Sequence, residues 1–153
     1  MTPEQQAALE GLVGRALTAI ELAAIDTQLP ERNDVAIAAI LSTDRVRVEP
    51  MRIGIGTILA TMRPNGGAFL DALEALAATD ANVKWTLKLI EQSNFDIGLP
   101  ATREELSAFA SAHPELATNI AALLAVAEID DPIHYNAVSD ALNVAENRLT
   151  LGG

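Results

Sequence analysis

Proton transfer, metal binding and nucleophilic attack each need particular side chains at particular spacings, and this chain offers few of them. Its two histidines, His113 and His134, do not share a helical i, i+4 face, and no His-Glu-x-x-His run occurs. His113 precedes Pro114 and reads as a helix-entry residue, while His134 lies between Ile133 and Tyr135 near a turn. Gly54-Ile55-Gly56 has part of the pattern of a phosphate-binding loop, but the third glycine and the Lys-Ser/Thr pair are missing, and Lys84 and Lys88 are the only lysines. Bending between an extended and a helical segment accounts for those glycines. Carboxylates adjoin at Glu104-Glu105 and Asp130-Asp131, both read as helix starts, where exposed N–H groups and the helix dipole favour negative charge. Calcium loops need alternating oxygen ligands and a central glycine, and neither pair has them. Ser42, Ser93, Ser107, Ser111 and Ser139 lack a Gly-x-Ser-x-Gly setting. With no cysteine, thiolate zinc sites, disulfides and cysteine nucleophiles are excluded. No catalytic residue, metal ligand or cofactor is assigned, and the chain is read as a protein other than an enzyme.

One cluster stands out. Arg45, Arg47, Arg52 and Arg63 are four of the ten basic residues and face only Glu49 within that stretch, a local balance of +3 in a chain of net charge −11. Residues 89–153 carry −8. Two readings stay open: a solvated strand face whose arginines pair with the excess carboxylates, or a contact surface, since Arg is enriched in interfaces. An acidic chain opposes non-specific binding to nucleic acid or anionic membrane, because phosphate contacts need clustered cations. The expected partner is another protein, such as the acidic end of an identical subunit.

The elements that position these residues read as helices. Hydrophobic residues make up 50% of the chain and only five are aromatic, so the apolar content is mainly Ala and Leu, which lose little freedom in a helix. Thr2, Pro3 and Gln5 form a helix-opening pattern, and Leu9, Leu12, Val13, Ala16, Leu17 and Ile20 follow as one stripe. Asn33 or Asp34 opens a second helix through Leu41. Arg45-Val46-Arg47-Val48 alternates, which predicts extended chain, with the valines inward and at most a short hairpin between Arg45 and Gly56. Residues 57–62 read as one or two helical turns and Pro64-Asn65-Gly66-Gly67 as a turn. Helices are predicted around Phe69–Ala77, from Asp80 to Ile90, from a Thr102–Glu105 capping box through Ala110, from Pro114 to Ala127, and from Asn136 to Val144. Phe95 and Ile97, in the loop before Pro100, are expected to pack down.

Together these predict a mainly α, single compact bundle of about seven helical segments over residues 1–146, with a flexible C-terminal tail at 147–153. The length of 153 residues suits one domain of ~100–200 residues. Met1-Thr2-Pro3-Glu4 is unlike a signal peptide's basic start, and no run approaches the ~20 apolar residues that span a bilayer. The expected location is the cytosol, or the inside or surface of something made there.

The order of these signals also resembles a known class. Thr2-Pro3-Glu4-Gln5, Leu12-Val13-Gly14-Arg15, Val46-Arg47-Val48, Gly54-Ile55-Gly56-Thr57, Val83-Lys84-Trp85, Asn94-Phe95-Asp96-Ile97-Gly98 and Val138-Ser139-Asp140-Ala141-Leu142 follow one another as in small helical proteins encoded in the structural modules of tailed bacteriophages, often near tail or tail-fibre genes. The resemblance implies a non-enzymatic structural or assembly protein of the tail or baseplate region, found in the virion, or in the host cytoplasm before assembly. It would bind other virion proteins or identical subunits. A small phage-encoded regulator that binds one host protein is the alternative.

Overall fold

In the computed structural model, which describes residues 1–147, the chain is mainly α-helical. Nine α-helices, one turn of 3-10 helix and two two-stranded sheets occur among those residues. The tail expected at 147–153 lies outside the described residues except for Asn147. The chain divides into two compact units. One takes in Met1–Val46 and the chain from Asp130 onward; the other is Arg47–Ile129. Each buries its own apolar core.

In the first unit, Thr2 caps α1 (Pro3–Val13) through the predicted capping box with Gln5. The helix then stops short of the predicted stripe. Gly14 adopts the left-handed conformation (φ 72°), and its N–H bonds the Glu10 carbonyl, a glycine terminus that ends helices. A second capping box, Thr18 with Glu21, starts α2 (Ala19–Gln28) in a new direction. Leu17 is buried while Ile20 stands 83% exposed, so the stripe from Leu9 to Ile20 is not one face. Asn33 caps α3 (Asp34–Leu41) as predicted. The last helix, α9 (Tyr135–Ala145), is capped by His134, whose Nδ1 accepts the Asn136 N–H at 3.3 Å. Asn136, predicted as that cap, is therefore a helix residue. Leu9, Ile25, Ile37, Leu41, Val138 and Leu142 meet in the core. Arg32, itself left-handed (φ 51°), reaches Asp34 at 3.2 Å, Asn143 at 3.1 Å and Glu146 at 2.7 Å, and Gln5 donates to Glu146 at 2.8 Å. These bonds tie α1, α3 and α9 together at one end.

The predicted hairpin does not form. The strand β1 (Val46–Val48) pairs with β4 (Glu128–Asp130), and β2 (Arg52–Ile53) pairs antiparallel with β3 (Phe95–Asp96). Pro50, which lacks a donor, separates β1 from β2, and each strand finds a partner far along the chain. The alternation predicts the valines of β1 inward; instead Val46 and Val48 are 47% and 42% exposed and belong to neither core.

In the second unit, α4 (Ile55–Thr61) is a full short helix, followed by α5 (Gly66–Ala77) and α6 (Ala81–Glu91). Asp80 caps α6 as predicted, accepting the Asn82 N–H at 2.8 Å. Gly66 is the first residue of α5 and not a turn tip: a Cβ there would lie 2.9 Å from the Leu59 α-carbon, so only glycine lets α5 start this close to α4. Pro100 occupies the first position of α7 (Pro100–Ala112), which places Thr102 and Glu105 inside the helix; the predicted capping box is absent. Glu104-Glu105 thus lies beyond the first turn, and Asp130 ends β4 with Asp131 just after it, so neither pair opens a helix. A 3-10 turn, Pro114–Leu116, leads into α8 (Ala117–Ala125). Helical spacing predicts Leu116, Ile120, Leu123, Leu124 and Ala127 on an inward face; Leu124 is only partly buried, and the other four are buried with Phe69, Leu73, Phe95 and Ile97 in the same core.

Candidate functional site

The four predicted arginines do not form one constellation. Arg45, in the first unit, sets its Nε 2.9 Å from the Asp131 carboxylate, with each side chain one-third exposed. Arg47, Arg52 and Arg63 belong to the second unit. Arg47 pairs with Glu49 at 2.9 Å in the open. Arg52 and Arg63 are exposed, and no ion pair engages either among the described residues. Two of the four are thus engaged with carboxylates of their own unit, and two are left facing solvent.

The histidines lie in ordinary surroundings. His113 stacks on Phe109, ring centroids 4.3 Å apart, with Nδ1 3.3 Å from Glu115. His134 caps α9 through its Nδ1, which accepts the Asn136 N–H. Among the described residues no group of three or more His, Asp or Glu is placed to hold a metal ion. No buried side-chain nitrogen or oxygen lacks a hydrogen-bond partner there. No helix of the described chain is long and apolar enough to cross a membrane.

The first unit also carries an internal clamp. Arg15 grips Glu21 with two bonds of 2.9 and 2.6 Å, and the Thr18 N–H adds a third at 2.7 Å. The Arg15 bonds first, and then the Thr18 N–H, hold the Glu21 carboxyl down at about 2. A hollow of about 330 Å³ nearby is lined by Arg15, Arg45, Asp44 and Asp131, and both of its cations are already paired. It offers no free charge to an anion.

The second unit carries a different surface. A groove of about 200 Å³ runs across α4, α5 and α6, lined by Ile55, Leu70, Leu87 and Ile90. Asp71, Glu74 and Glu91 stand on its rim. All three are exposed and none has an ion-pair partner among the described residues. Ile55 is 40% exposed, and Leu59, one turn further on the same face of α4, is 44% exposed. On α6, Trp85 is 61% exposed with the Lys88 ammonium 4.4 Å above its ring. The groove escaped the sequence reading because its residues come from three helices. The signal available locally is the i, i+4 pair Ile55 and Leu59, which the sequence pattern divides between an extended segment ending at Gly56 and one or two helical turns over 57–62. Compared with known proteins, the chain matches no family model, no curated protein and no solved structure.

Proposed function

We propose that the chain is a non-enzymatic protein-binding module, a structural or assembly part of a phage particle in its tail or baseplate region. It works by packing helix faces against other virion proteins or identical subunits. The observation that carries the packing is the groove of the second unit, where Ile55 lines a wall beside Leu70 and Leu87 and Leu59 extends the apolar face along α4. Large apolar side chains grouped on one surface and rimmed by polar groups mark interaction sites. Three rim carboxylates, and Arg52 and Arg63, which no ion pair engages among the described residues, supply charges in the same unit that orient an approaching partner. The particle itself enters through the sequence resemblance, from Thr2-Pro3-Glu4-Gln5 to the Val138–Leu142 run.

Quantitative mass spectrometry of washed, intact particles tests this. The expected result is the chain at a fixed copy number per particle. A chain absent from washed particles and recovered one-to-one with a host protein would overturn the reading in favour of an intracellular regulator.

A further inference from the structure

The groove described above raises the question of what fills it, and the answer deepens the protein-packing reading and rests on it. We propose that the occupant is the α4 ridge of a second copy of this chain, in a two-fold symmetric pair.

The ridge is apolar and cationic at its ends. The outward face of α4 presents Ile55, Gly56, Leu59 and Ala60, all exposed. Arg52 precedes the helix and Arg63 follows it, both exposed and outside any ion pair among the described residues. A Cβ added at Gly56 would meet nothing within 4 Å, so the middle of the ridge is low and open. The groove is the complement: an apolar floor with Asp71, Glu74 and Glu91 on its rim.

Ridge and groove share Ile55, so both halves of the match lie on one continuous surface of one unit. A surface that carries both halves is self-complementary, and a two-fold axis sets each ridge against the other copy's groove, residue i on j and j on i. A chain of net charge −11 repels its own copies in general, which leaves this local pairing of cations with anions to select the orientation.

Analytical ultracentrifugation of the full chain tests the pairing with two charge-reversed variants. One carries Arg52→Glu and Arg63→Glu; the other carries Asp71→Arg and Glu74→Arg. All four sites are exposed, and circular dichroism confirms that both variants keep the wild-type helix content. Wild type sediments as a dimer. Each variant alone has like charges at both contacts, and its dissociation constant rises about tenfold or more. Mixed in equal amounts, the two variants form a heterodimer, because the symmetry restores attraction at both contacts together. A wild type that stays monomeric at every accessible concentration, variants that dimerise as wild type does, or a mixture that stays monomeric would each overturn the proposal. A monomeric wild type still found in washed particles would remove the self-pairing while leaving the packing function in place. A basic segment of a different virion protein would then be the occupant.

Discussion

Gly98 lies so close to the backbone of Glu49 that a Cβ built on it would stand 2.2 Å from the Glu49 carbonyl oxygen and 2.8 Å from the Pro50 α-carbon. The approach is held by Asp96, whose Oδ1 accepts the N–H groups of both Met51 and Gly98 at 2.9 Å. Those two bonds, with the Arg52–Asp96 and Ile53–Phe95 register, seat Phe95 and Ile97 in the core. The glycine is therefore part of how the second unit closes.

Gly98→Ala should destabilise the protein by roughly 1–3 kcal/mol, the range for forcing an extra methyl into a packed site, because the obstructing atoms are backbone and cannot rotate away. Gly56→Ala should do the opposite. Its Cβ meets open space inside a helix, and such a change stabilises by ~0.4–1 kcal/mol through the unfolded chain. Urea denaturation of both variants checks the pair. Equal effects would mean that the close approach at Gly98 does not exist in solution.

The Arg15–Glu21 clamp has a pH signature. Because the Glu21 carboxyl is held at about 2 against an ordinary 4.5, its contribution is complete above about pH 4.5 and is lost as pH falls toward 2. The stability difference between wild type and Glu21→Gln should thus be largest at neutral pH and shrink steadily below pH 4.5. A difference that is flat from pH 7 to pH 3 would show that Glu21 is not held by Arg15 and the Thr18 N–H.

Leu123 is fully buried on α8, while Ala122, its neighbour in sequence, is exposed. Leu123→Asp places a charge without a partner in the core and should cost several kcal/mol, enough to unfold the chain or make it insoluble. Ala122→Asp should stay within about 0.5 kcal/mol of wild type. Thermal melting of the two variants decides whether this helix face is core.

Local chemistry explains which elements were legible. Thr2 with Gln5, Asn33 and Asp80 cap their helices as their spacing predicts, because a cap is a contact over two or three residues. The periodic face Leu116, Ile120, Leu123, Leu124 and Ala127 is legible for the same reason, apart from Leu124, which is only partly buried. Gly14 and Thr18 were passed over because the apolar spacing from Leu9 to Ile20 runs through them, and a single left-handed glycine overrides it. The partners of β1 and β2 are set by pairing over long stretches of chain, which alternation in Arg45–Val48 cannot reveal. The groove joins Ile55, Leu70 and Leu87 through helix packing, so it becomes visible only once α4, α5 and α6 are assembled.

The central claim, that the exposed face of α4 is where the chain packs against its neighbours, is tested most directly by a competition experiment with Leu59→Asp. Leu59 is 44% exposed and belongs to neither buried core, so the variant should fold with the helix content of wild type. With wild type and variant supplied in equal amounts during particle assembly, mass spectrometry of washed particles gives their incorporation ratio. The expected ratio favours wild type by about tenfold or more, as an aspartate set into an apolar contact has no partner there. Equal incorporation of the two chains would contradict the claim.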